Sequence, residues 1–219
     1  MKKNNRFFQF GEDVEGYSIP VLNEREIRAA AGLMFLALLL SLMRIVFKGD
    51  FILVKYVIVV FLSDFVIRVC VSPRFSPLLI ISRLIVSTQV PEYVGAAQKK
   101  FAWKIGLVLS VFMFVHLLIL NVYSVASSIT CFICLVFLFF ESAFGICLGC
   151  LVYGWLYKGK VQSCAGGICE VRKKQTIQLV SWMQIVILFA VFLSISLAFL
   201  FFNEQFRSAP KKLYSTHQQ

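Results

Sequence analysis

Residues 177–202 read IQLVSWMQIVILFAVFLSISLAFLFF, an apolar run without a single Asp, Glu, Lys or Arg. About twenty helical residues cross the ~30 Å hydrocarbon layer of a bilayer, so this stretch is long enough to span it. Three further stretches, 27–47, 51–71 and 105–122, read the same way. A fifth runs over 125–145, and because no proline interrupts it, it reads as helix continuing to Tyr157.

The rest of the composition agrees with these runs. Of 219 residues, 59% are hydrophobic and only 15% charged, with mean hydropathy +0.83. A soluble domain carries about a quarter of its residues as charged side chains, so the chain lacks the material for a water-facing surface. The expected fold is an all-α integral membrane protein of about five transmembrane helices plus an interfacial amphipathic helix. The expected organisation is a cytoplasmic N-terminal segment over 1–26, a four-span membrane domain with a cysteine loop over 27–176, and an additional span with a short tail over 177–219. Nine charged side chains within residues 1–26 exclude a secretory signal there, so the first span is expected to stay as an anchor. The tail RSAPKKLYSTHQQ reads as exposed.

The segment between the second and third spans is SPRFSPLLIISRLIVSTQVPEYVGAAQKK, residues 72–100. Its apolar part, 78–86, is too short to cross and contains Arg83. It therefore reads as a helix lying at the interface.

The 22 Lys and Arg against 11 Asp and Glu give a net charge of +11. Distributed over the five-span topology, sixteen of the 22 cations fall on one side. The positive-inside rule then puts that side, with the N-terminus, in the cytoplasm. No basic stretch is interleaved with aromatics as a nucleic-acid surface would require, so the partner implied by the charge is the lipid bilayer.

Cys147-Leu148-Gly149-Cys150 is followed by Cys164-Ala165-Gly166-Gly167-Ile168-Cys169. Cys147 and Cys150, at i and i+3, share a helix face, and with the Cys-x4-Cys hook of Cys164 and Cys169 the four thiolates could hold a tetrahedral zinc. The same two pairs could instead exchange electrons or sulfane sulfur. That chemistry needs a thiolate, hence a helix N-terminus or a nearby cation. A helix unbroken to Tyr157 would place Cys147 and Cys150 late, unless Gly145 or Gly149 breaks it. Cys131 and Cys134 have the same spacing but no neighbouring glycine or charge, and with Cys70 they read as packing.

Ionisable residues inside spans mark functional candidates. Asp64 and Arg68, four apart, are expected to pair. Glu141 precedes Cys147 and has no cation on its own helix, so a cluster with Arg68 or Arg74 is expected, in which Glu141 neutralises an arginine or carries a proton to a cysteine.

Three segments, LNEREIRAAAGL, VSPRFSPLL and ESAFGICLGCLVY, together resemble the bacterial membrane family called domain of unknown function 4395. The resemblance spans about 22–169 and places its recurring positions on Asn23, Arg28, Pro73, Arg74, Phe75, Glu141, Gly145, Cys147, Gly149, Cys150 and Tyr153. It implies a four-span protein of the bacterial inner membrane, here departing by the Cys-x4-Cys pair and the added span. It also implies association with thioredoxin-like or rhodanese-like proteins.

The leading expectation is a membrane thiol protein in which Cys147, Cys150, Cys164, Cys169 and Glu141 relay electrons or sulfane sulfur, supported by Asp64, Arg68, Arg74 and Tyr153. One alternative is an assembly subunit of a larger membrane complex, with zinc on the four cysteines. Another is a small transporter for a sulfur-containing anion drawn by Arg68 and Arg74.

Overall fold

The computed structural model describes residues 10–12, 14, 19–156, 180–201 and 203–212. The described residues form the helices α1 Glu24–Lys48, α2 Ile52–Val66, α3 Pro77–Ile85, α4 Ala96–Phe114, α5 Val125–Phe139, α6 Leu148–Leu156 and α7 Trp182–Phe201. A five-residue helix, α8 Asn203–Arg207, follows. The helices α2, α4 and α5 each run on through one π turn, at Ile67–Val71, Val115–Ile119 and Phe140–Phe144.

Glu24–Lys48, Ala96–Ile119, Val125–Phe144 and Trp182–Phe201 are long and apolar enough to cross a membrane. The helix α2 with its π turn has comparable length, but it carries Lys55, Asp64 and Arg68, all buried within the protein. Large apolar side chains such as Phe47, Phe189, Phe192 and Leu200 point outward, which in water would be an aggregation surface and in lipid is a matched one. The chain is an all-α membrane protein.

Local chemistry fixes where the helices begin and end. Asn23 caps α1 by accepting from the Arg25 N–H, Glu24 and Glu26 sit in its first turn, and Gly49 ends it in the left-handed region at φ 62°. Those placements complement the helix dipole and supply the only conformation a tight stop allows cheaply. The helix α3 starts on Pro77, with Ser76 accepting from the Leu79 N–H.

Two small sheets set the directions of the helices. Strands β1 Val21–Asn23 and β2 Tyr93–Gly95 pair antiparallel, with Val21 opposite Gly95. The starts of α1 and α4 therefore lie side by side. Gln184, near the start of α7, donates from Nε2 to the carbonyl of Arg74 at 2.8 Å, which brings α7 to the same end. So α1, α4 and α7 run one way, and α2 and α5 return. The core between α1, α2 and α4 is filled by Met34, Leu38, Phe61, Phe65 and Trp103.

One expectation needs correction, and two others gain detail. The helix over 125–145 does not continue to Tyr157: Gly145 turns left-handed at φ 66°, and the chain restarts as α6 at Leu148. The run over 78–86 forms a nine-residue amphipathic helix, too short to span, as expected. As α3 it packs between α1 and α7, because Arg83 is buried and joined to Glu26 at 3.1 Å. The described part of the tail is mostly exposed, as expected, and is also tied down. Lys211–Lys212 pairs as β4 with β3 Val122–Tyr123, since the buried Lys55 ammonium donates to Asn121 Oδ1 and to the Ser208 carbonyl, each at 2.8 Å.

Candidate functional site

The break at Gly145 makes the site. A Cβ at Gly145 would overlap the Arg28 guanidinium, which lies across the turn, so glycine serves there both for its φ and for its lack of a side chain. Cys147 follows as the residue that caps α6. Its carbonyl accepts from the Cys150 and Leu151 N–H groups at 3.0 and 3.1 Å, and its Sγ accepts from the Cys150 N–H at 3.2 Å.

Cys147 and Cys150 are joined in a disulfide, with Cα atoms 5.1 Å apart. The two sulfurs are not late in a helix but at the start of one. The sulfur of Cys147 sits against the Cys150 N–H at the positive end of the α6 dipole.

The helix α6 reaches this position by lying tightly on α4. A Cβ at Gly149 would come within 2.9 Å of the Ala102 Cα, so only glycine permits the approach. Tyr153 packs its ring on Phe101, centroids 5.4 Å apart, along the same contact. It supports the seat of α6.

Next to the cysteines lies a buried ionic network. Glu141 accepts from Lys99 Nζ at 2.5 Å, and Lys99 also meets Glu24 at 2.9 Å. Arg28 pairs with Glu24 at 3.6 Å and with Glu92 at 3.7 Å. Lys99 is almost fully enclosed. Glu24, Glu92 and Glu141 face Lys99, Arg28 and Arg25, the last paired with Glu92 at 2.7 Å, so the charges balance, as ions drawn out of water must to offset desolvation. Glu141 thus has its ion pair on α4, across the bundle; Arg68 lines the same cavity and lies within range of its charge, whereas Arg74 does not line that cavity.

Asp64 and Arg68 do pair, at 2.5 Å, one turn apart on α2. Ser76 ties them together, accepting from Arg68 Nε at 3.1 Å and donating to Asp64 Oδ1 at 2.5 Å. The Arg68 guanidinium lies over the Trp103 and Phe65 rings, 5.1 and 5.5 Å from their centroids. Arg74 is solvent-exposed and belongs to a different neighbourhood. Its charge and that of Arg83 act on Glu12, whose carboxyl burial nonetheless holds above the ordinary range.

A cavity of about 100 Å³ opens among α1, α2, α4, α5 and α6. Arg68, Glu141 and Cys147 line one end of it, Met113 and Cys131 the other, and the walls between are apolar. Cys131 and Cys134 are free thiols, as is Cys70. Cys164 and Cys169 lie outside the described residues, as do the basic residues between 158 and 174. Among the described residues no three His, Cys, Asp or Glu side chains group as a metal site.

The site therefore joins Cys147, Cys150 and Glu141, with Arg68 at the shared cavity, and leaves Arg74 out. Reading the sequence missed Lys99 and Glu24. Both are visible in the chain, Glu24 in the LNEREIR motif and Lys99 in the basic run before α4, but only the β1–β2 pairing shows that the two helix starts meet. The family model described as Domain of unknown function (DUF4395) matches residues 22–158. Searches of curated proteins and of solved structures found no match.

Proposed function

The chain belongs to the DUF4395 family, and on that premise we propose that it is a membrane dithiol–disulfide protein, in which the Cys147–Cys150 pair exchanges electrons with a soluble thioredoxin-like dithiol. The observation that carries this reading is the disulfide at the first turn of α6, beside Glu141 and Lys99. A zinc role needs those sulfurs as thiolates, and a joined pair is the oxidised partner of a dithiol couple.

The two sulfurs differ in access. Cys147 is buried and lines the cavity, whereas Cys150 is partly exposed and does not line it. An incoming thiolate therefore attacks Cys150, and Cys147 leaves as the thiolate that the α6 N-terminus favours. Cys164 and Cys169, fourteen residues farther on, extend the relay towards the partner. The face that holds the site is the cytoplasmic one of a bacterial inner membrane, because Arg25, Arg28, Arg74, Arg83, Lys99, Lys100 and Lys104 gather there. Glu141 takes and returns the proton of the Cys147 thiol.

Trapping tests the assignment. A Cys147→Ser chain with Cys164 and Cys169 also replaced by Ser is expected to form a mixed disulfide with the oxidised thioredoxin-like protein: the Cys150 thiolate attacks the partner's disulfide and one partner thiol is released. A chain that traps nothing while wild type is turned over by the same protein would refute it.

A further inference from the structure

A disulfide that takes electrons from a soluble dithiol must pass them on, and the cavity beside Cys147 indicates the acceptor. We propose that the cavity binds a membrane quinone and that Cys147 and Cys150 reduce it to the hydroquinone. The inference rests on the dithiol reading above and names its second substrate.

The cavity has the shape and chemistry of a site for a ring with one polar and one greasy end. Its volume of about 100 Å³ is of the order of the engineered apolar cavity, about 150 Å³, that takes up benzene. From Ala102 to Met113 it follows α4 for roughly 16 Å at 1.5 Å per residue, a depth that leaves the bulk of its walls inside the hydrocarbon layer. Phe65, Trp103, Met34 and Leu38 provide the apolar sides. A water-soluble acceptor would gain little there, and a lipid-soluble one already resides in the surrounding phase.

The polar end suits a quinone in particular. Arg68 is buried, lines the cavity, and carries five N–H donors, of which Nε and Nη2 engage Ser76 and Asp64. It can therefore donate to a quinone carbonyl and stabilise the charge that grows on that oxygen during reduction. Glu141, with Lys99 behind it, stands at the same end and can move a proton. The sulfur on this side is Cys147.

The electrons and atoms balance without a further reagent. The partner's two thiols become a disulfide as they open Cys147–Cys150. The Cys147 thiolate then adds to a ring carbon of the quinone. Cys150, as thiolate, attacks Cys147 Sγ: the S–S bond forms, the S–C bond breaks, and its electron pair stays on the ring. The two thiol protons end on the two quinone oxygens, which gives one hydroquinone and the restored disulfide.

The test uses the purified full-length protein, reduced with dithiothreitol, freed of it, and mixed with decylubiquinone. The expected result is one hydroquinone formed for each Cys147–Cys150 pair, with the pair recovered as a disulfide. In a Cys150→Ser chain mixed instead with menadione, whose quinone ring keeps one C–H, the Cys147 thiolate adds at that carbon, the ring hydrogen is lost as the ring becomes aromatic, and the expected result is a hydroquinone thioether visible as added mass on the Cys147 peptide. A Ser110→Phe chain, in which a ring fills the middle of the cavity, should show a KM for decylubiquinone raised about tenfold. Should that variant not fold, the wild-type stoichiometry decides alone. If decylubiquinone stays oxidised while dithiothreitol still opens and air re-forms the Cys147–Cys150 bond, the quinone site is wrong and the dithiol reading stands. If the pair never opens or re-forms, both are wrong.

Discussion

Two stretches of this chain, Cys131-Phe132-Ile133-Cys134 and Cys147-Leu148-Gly149-Cys150, have the same cysteine spacing and opposite outcomes. The first lies within α5, with both thiols free. The second straddles the start of α6 and is joined. Spacing is therefore not what selects a redox pair. Inside α5 the backbone N–H groups are consumed by the helix ladder, and among the described residues burial, not a neighbouring charge, sets the surroundings of the thiols. At Gly145 the ladder stops, the N–H groups of the next helix become available, and the Glu141–Lys99–Glu24 network lies alongside. The contrast between the pairs is a contrast between helix interior and helix start.

The largest effect is expected from the ionic network that distinguishes the second pair. Lys99→Met would leave Glu24 and Glu141 enclosed with one fewer cation, a loss of about 3–5 kcal/mol. Thermal unfolding in detergent should show this, and adding Glu141→Gln to the same chain should recover part of it. An unchanged midpoint would mean that the network does not hold the two helix starts together.

Next in size is the turn itself. Gly145→Val forces a β-branched residue into the left-handed region and into the Arg28 guanidinium, a cost of roughly 2 kcal/mol or more. The Cys147–Cys150 pair should then behave like Cys131 and Cys134, with both thiols open to alkylation in membranes prepared without reductant. A disulfide that survives the change would show that the pair does not depend on the helix break.

A smaller change is expected at the seat of α6. Gly149→Val presses a side chain against Ala102, at about 1–3 kcal/mol for overpacking. Its readout is the exchange rate of the disulfide with dithiothreitol, which should change because α6 is displaced from α4. The smallest effect belongs to the first pair: Cys131→Ala with Cys134→Ala removes two thiols from a packed wall, at about 1 kcal/mol each or less, and the Cys147–Cys150 disulfide content should not move.

Much of this was legible in the sequence because it follows from solvent and length. The apolar runs gave the helices, and the pairing of Asp64 with Arg68 followed from their spacing of four. The short run over 78–86 was readable as non-spanning, but its burial was not, because the partner of Arg83 is Glu26, fifty-seven residues away. The same limit hid Lys99. Local pattern says that a buried carboxylate such as Glu141 needs a cation, and only the packing of α4 on the other helices says which one. The helix break was available as a possibility in Gly145, yet an apolar run with no proline reads as continuous. The αL turn becomes compelling only once Arg28 is known to occupy the space a side chain would need.

The central claim is that Cys147 and Cys150 form one working two-electron couple and that Cys131 and Cys134 do not. Membranes equilibrated at graded ratios of reduced to oxidised dithiothreitol, quenched in acid and alkylated, would give the state of each cysteine by peptide mass. The account predicts that Cys147 and Cys150 titrate together, as a single transition with a two-electron slope, while Cys131 and Cys134 carry free thiols throughout. Free thiols at Cys147 and Cys150 under every poise, or a disulfide between Cys131 and Cys134, would contradict it.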